Sequence, residues 1–131
     1  FGLQKFVVGK APDAFTYWKT DVDDIRLYSR PLSAGDISRL YSLGATTHTD
    51  VTLKSNTSLT NGLVGWWTFD GKDMLKNVAD LSSTYATGSL IHPTNATSTV
   101  PGRVGQALKF NGVDDYVTMG DTTSLDGATQ M

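Results

Sequence analysis

The sequence predicts an all-β fold carrying one short helix, and three features of the chain support that expectation. All 13 acidic residues are Asp and none is Glu. The short Asp side chain competes for nearby backbone groups, so it favours turns, caps and oxygen-ligand loops over helix interiors. The apolar residues fall in short runs bounded by Gly, Pro, Asn and Asp, the pattern of strands and turns rather than of long amphipathic helices. Only Ala34 to Leu43 repeats with helical period.

Taken in order, Leu3 to Gly9 is an apolar run of strand type, and the following Ala11 to Phe15 is a turn punctuated by Pro12 and Asp13. Asp21 to Tyr28 alternates, with Val22, Asp24, Arg26 and Tyr28 on one face and Asp23, Ile25 and Leu27 on the other. Ile25 and Leu27 are therefore expected in the core, with Val22 and Tyr28 at the ends. The helix has Ser33 as N-cap and Asp36 three residues on, a capping box with Asp in place of the usual Glu or Gln. Its apolar stripe is Ile37, Leu40 and Tyr41, Arg39 favours its C-terminal end, and Gly44 is expected to close it in the left-handed conformation. A helix this short is marginal alone and is expected to lie on a sheet.

Ala45 to Asn61 is polar and Thr-rich, a linker whose interior Val51 to Leu53 suits a short edge strand. Leu63 to Phe69 reads as a buried strand in which the adjacent Trp66 and Trp67 point to opposite faces, one into the core and one outward. Gly88 to His92, Ala107 to Phe110 and Tyr116 to Met119 are further strands, the last two joined by a turn from Asn111-Gly112 to Asp115. Asp121 to Met131 returns to polar turn residues.

At 131 residues the chain is the size of one domain. A net charge of −2 with scattered Lys and Arg offers nothing to nucleic acid or an anionic membrane. With no Cys there is neither a disulfide framework nor thiolate chemistry. No apolar run nears the roughly 20 residues of a membrane span, and no signal peptide opens the chain, which reads from Phe1 as an internal piece of something longer.

Three stretches, taken as a set, carry a resemblance. Val22 to Gly44 reads VDDIRLYSRPLSAGDISRLYSLG, Gly62 to Gly71 reads GLVGWWTFDG, and Gly102 to Gly120 reads GRVGQALKFNGVDDYVTMG. The chain resembles the laminin-G-like (concanavalin A-like) jelly-roll domains of secreted bacterial and archaeal surface proteins. The first stretch is similar to the family's closing strand and helix, with Asp36 where Glu is common, and the other two to its opening strands. A family loop of the form D-x-S-G-x-G-N-x-G is degenerate here as DLSSTYATGSL: Asp80, Ser82 and Gly88 align, and the inner glycines and the Asn are missing. The closing portion therefore precedes the opening one, and the middle of the domain is absent.

The resemblance implies a jelly-roll β-sandwich of concanavalin A-like type, permuted or incomplete. Residues 1–44 would be closing strands and helix, 45–61 the linker and 62–131 opening strands. Two arrangements remain open: one compact permuted unit, or a junction between neighbouring repeats of the same chain. The first and last strands of a jelly roll lie side by side, which favours the compact version.

Catalysis is not expected. Without Glu, the usual glycosidase carboxylate pair is excluded. The adjacent pairs Asp23-Asp24 and Asp114-Asp115 would point to opposite faces, and His48 and His92 lie among polar loop residues far from a nucleophile motif. Calcium suits an Asp-only set because it takes six to eight oxygen ligands; the resemblance adds that such an ion often ties first and last strands together. Asp24, Asp70 and Asp80 are its candidate ligands, against plain turn or surface roles. Sugar binding needs an exposed aromatic platform with polar neighbours, for which Tyr17, Trp18, Trp66 and Tyr85 are candidates, against core roles. Asn56 and Asn95 open triplets of the glycosylation pattern. The expected function is a non-catalytic module of a secreted or cell-surface protein that binds a glycan or a surface protein in adhesion. The alternatives are a passive structural repeat and an accessory module of a glycoside hydrolase.

Overall fold

The computed structural model describes residues 6–11, 15–45, 57–74, 77–92 and 98–120. The strands among them are β1 (Val7–Val8), β2 (Asp21–Val22), β3 (Ile25–Tyr28), β4 (Leu63–Trp67), β5 (Asn77–Val78), β6 (Gly88–Ile91), β7 (Thr99–Pro101), β8 (Gln106–Lys109) and β9 (Tyr116–Thr118). Helix α1 covers Ala34–Ala45, α2 is the single turn Thr57–Thr60, and Gly71–Asp73 is one 3-10 turn. All strand pairs are antiparallel, in a sheet ordered β1-β9-β6-β5, a second ordered β2-β8-β7, and the pair β3-β4. The architecture is all-β with one short helix of more than a single turn.

Each strand of the front segment pairs with a strand from the later segment. Val8 lies opposite Val117, Val22 opposite Leu108, and Ile25 opposite Trp67. The three sheets share one core of Val8, Trp67, Phe69, Met74, Val78, Ala86, Leu108, Phe110, Val117 and Met119, against which Val22, Ile25, Leu27 and Leu90 pack. Trp67 is its largest member and is fully buried, and its indole N–H donates to the Ala86 carbonyl at 3.0 Å. That bond removes the penalty of burying the polar edge of an indole. Gly65, two residues earlier on the same face, leaves room for the ring, since a Cβ there would collide with it.

Ile25 and Leu27 reach the core as the alternation predicts, but Asp21 to Tyr28 is not one strand. The chain leaves the second sheet after Val22, turns at Asp24 with φ of 49°, and enters the β3-β4 pair. The break resets the alternation, which is why Val22 also packs on the core. A second departure concerns α1. Its stripe does not lie on a sheet: Ile37 is 57% and Tyr41 73% exposed. Polar groups hold the helix instead. Asp36 is buried and accepts from the Ser33 N–H (3.1 Å), the Ser33 hydroxyl (2.9 Å) and Arg30 Nη1 (3.0 Å), while the Ser58 hydroxyl of α2 donates to its other oxygen at 2.5 Å. The Asp36 N–H returns a bond to Ser33 Oγ at 3.1 Å, completing the predicted capping box.

Gly44 does not terminate α1 in the left-handed region; the helix runs through it to Ala45, and the Gly44 carbonyl accepts from Arg103 Nε. The Asn111 turn forms, with Asn111 Oδ1 accepting from the N–H groups of Val113 (2.7 Å) and Asp114 (3.2 Å) and Gly112 at φ 78°. It carries the chain from β8 to β9, which belong to different sheets, so it bridges sheets rather than closing a hairpin. The short strands β5 and β7 and the turn α2 lack a periodic signal long enough to read from sequence. The expectations for Leu3 to Lys5, Pro12 and Asp13, His48, Val51 to Leu53, Asn56, Asn95 and Asp121 to Met131 lie outside the described residues.

Candidate binding surfaces

Two places gather functional groups. The first is an acidic corner where the turn between β2 and β3 meets the loop between β7 and β8. Asp23 Oδ2 accepts from the Val104 N–H at 2.8 Å, and Asp70 Oδ1 accepts from the Gln106 N–H at 2.7 Å. The glycines of this loop answer to those carboxylates. A Cβ at Gly102 would lie 2.6 Å from Asp23 Oδ2, and Gly105, at φ 71°, would drive one into Asp70 Oδ1. The spacing Gly102-x-x-Gly105 therefore lets two carboxylates cap one loop. Asp23 Oδ1 is buried with no hydrogen-bond partner among the described residues. Burial, outweighing backbone hydrogen bonds from Val104 and Arg103 and reinforced by the charges of Asp24 and Asp70, raises its carboxyl above the ordinary value.

Of the three predicted calcium ligands, Asp24 and Asp70 border this corner and Asp80 does not belong to it. Asp24 holds Arg26 through two bonds of 3.1 and 2.9 Å and accepts the Trp66 indole N–H at 2.6 Å. Asp80 is buried under the loop after it, accepting the N–H groups of Trp66 (2.8 Å), Ser82 (2.8 Å) and Ala86 (2.7 Å) and the Ser82 hydroxyl (2.8 Å). Burial pushes its carboxyl up, but the bonds from Ser82, Trp66 and Ala86 prevail and hold it below the ordinary value. The oxygens of both residues are engaged by internal donors, and a cation would have to displace them. Asp23 Oδ1 and Asp70 Oδ2, the latter 3.9 Å from Lys72 Nζ, are the corner's available oxygens. Among the described residues no three His or acidic side chains converge on one point.

The second place is the outward face of the four-stranded sheet. Val8, Val117, Gly88 and Val78 point inward, so the residues between them point out. Strand register then sets Asn77, Ser89, Thr118 and Val7 in one row across all four strands, with Ile91 and Tyr116 in the next row, about 6.8 Å further along. The aromatic row continues beyond β1. Lys10 bridges to Tyr17, the Trp18 N–H donates to the Gly9 carbonyl at 2.9 Å, and the Tyr17 and Tyr116 rings stand 6.3 Å apart at 46°. Lys10 Nζ lies 4.9 Å from the Tyr116 ring centre and 5.7 Å from that of Tyr17. His92, adjoining Ile91, lies 3.6 Å from Asp114.

The four predicted platform aromatics thus fall into different settings. Tyr17 is part of this outward row, and Trp18 beside it is 44% exposed. Trp66 is the outward tryptophan of its pair; Arg26 lies over its ring at 4.6 Å, and its indole N–H is already engaged by Asp24. Tyr85, 78% exposed and at φ 54°, stands on the loop anchored by Asp80. No ring contact joins Tyr85 or Trp66 to Tyr17 among the described residues. The members missed from sequence are Lys10, Asn77, Ser89, Ile91, Tyr116 and Thr118. The alternation about Val117 held a signal for Tyr116 and Thr118; the others depend on cross-strand register. No protein-family model, no curated protein and no solved structure matches this chain.

Proposed function

We propose that the protein is a non-catalytic carbohydrate-recognition module of laminin-G-like jelly-roll type, acting in adhesion on a secreted or cell-surface protein. The observation that carries the reading is the outward sheet face, where the Tyr17–Tyr116 pair adjoins a row of Asn77, Ser89 and Thr118. Aromatic rings stack on the apolar face of a pyranose, and amide and hydroxyl groups a row away suit its hydroxyls. The pairing of β1, β2 and β3 with later strands supports a permuted single unit over a junction of half-domains.

A panel of neutral and acidic oligosaccharides titrated by calorimetry tests the reading. Binding is expected, with Tyr116→Ala weakening it at least about tenfold and Trp18→Ala testing the adjoining ring. Absence of binding at millimolar sugar would leave a passive spacer repeat as the better description. Calcium belongs to the proposal at the acidic corner, with Asp23 and Asp70 as ligands. It would neutralise carboxylates that now repel one another, and it is expected to raise the thermal midpoint reversibly on addition and chelation. An unchanged midpoint removes the ion.

A further inference from the structure

We infer that the outward sheet face is selective for a sugar bearing a ring carboxylate, a hexuronate, with Lys10 as the residue that reads the charge. The inference rests on the carbohydrate reading above and names the class of sugar. Arg26, Arg30 and Lys72 each pair with a carboxylate, Arg39 donates to Ser58, and Arg103 to the Gly44 carbonyl. Lys10 has no carboxylate partner among the described residues. Lys19 and Lys109 also lack one, but both are exposed and neither ammonium lies over a ring. Lys10 is partly buried, with its ammonium held over two tyrosine rings that form the stacking surface itself.

That placement fixes the chemistry. The ring faces attract the ammonium electrostatically and hold it at the platform, yet they supply no anion. A pyranose stacked there and carrying a carboxylate would offer the missing counter-ion at the edge of the same rings, as a charge-assisted hydrogen bond in a partly dry site. One carboxylate fits and a polyanionic surface does not, because the chain carries a net charge of −2 and no run of basic residues.

The probe is the methyl glycoside of galacturonic acid, which carries one carboxylate, set against its methyl ester, which keeps the ring and removes the charge. Calorimetry on the intact chain is expected to give about tenfold tighter binding of the acid, a preference that shrinks at high salt. Lys10→Met keeps the aliphatic stem and should abolish the preference of acid over ester; Lys10→Arg should retain it. Far-UV circular dichroism and thermal midpoint establish that each variant folds. Equal affinity of the native chain for acid and ester, or a preference that survives in Lys10→Met, overturns the inference and leaves the carbohydrate reading standing. Binding of neither probe, with neutral sugars also unbound, overturns both.

Discussion

At the scale of single residues, aspartates with similar sequence settings have come to opposite electrostatic ends. Asp80 gathers three backbone N–H groups and the hydroxyls of Ser82 and Thr84 in a buried turn, so Asp80→Ala orphans those donors. Each stranded buried donor costs on the order of 1–3 kcal/mol, and a loss of roughly 3 kcal/mol or more in urea denaturation is expected. A loss below about 1 kcal/mol would mean that water replaces the carboxylate. The pH dependence separates the aspartates further. Asp36, held low by Ser58, Arg30 and Ser33, and Asp80 both titrate below the ordinary 3.8 when folded. Their contribution is full above that value and is lost as pH falls through it towards the folded values. Asp23 is raised, so above 3.8 the unfolded chain loses its proton first and stability falls with rising pH until the folded group also ionises. Urea midpoints from about pH 3 to pH 7 should therefore show Asp36→Asn flattening the acid-side loss and Asp23→Asn removing a decline on the other side. Parallel profiles for the two variants would contradict these assignments.

At the scale of elements, α1 shows what a sequence pattern conveys and what it omits. Its start was legible because Ser33 and Asp36 act locally, across three residues, and their reciprocal bonds need nothing from the rest of the chain. The face it buries was not, because the Ile37–Tyr41 stripe gives a direction without saying whether a sheet lies there. The anchors are Arg30 and Ser58, 28 residues apart, with the Arg30 guanidinium also donating to the Ser58 carbonyl. Ser33→Ala is accordingly expected to cost about 1 kcal/mol, whereas Ile37→Ser and Tyr41→Ser should each stay within about 0.5 kcal/mol in denaturant titration. A cost above about 1.5 kcal/mol for Tyr41→Ser would place that face against something in solution. The same distinction holds for the candidate sites. Tyr17 and Trp18 were legible as aromatics in a polar run, but Lys10 reaches Tyr116 only through the pairing of β1 with β9, and Asn77 shares their sheet face only through the register of four strands. Asp24, Asp70 and Asp80 share a residue type, while tertiary donors decide which oxygens remain available.

At the scale of the whole molecule, the issue is whether the front and later segments fold as one. The pairs Val8 with Val117, Val22 with Leu108 and Ile25 with Trp67 each join residues about a hundred or several tens of positions apart in sequence. All six belong to the core or pack on it, so removing the front segment would strip apolar partners from all three sheets and open their edges. Leu108→Ala, at a fully buried position opposite Val22, is expected to cost about 2–5 kcal/mol. That is a large fraction of the roughly 5–15 kcal/mol typical of a domain. Because the core is shared, the loss should move a single transition to lower denaturant. Tryptophan fluorescence, dominated by the exposure of Trp67, and far-UV circular dichroism should then trace coincident curves. A cycle of Val8→Ala and Val117→Ala should add a coupling term of at least about 0.5 kcal/mol, since the two face each other across the β1-β9 pair. Separate transitions, with Leu108→Ala shifting only one and the cycle strictly additive, would instead make the front segment an independent unit and return the chain to two neighbouring half-domains.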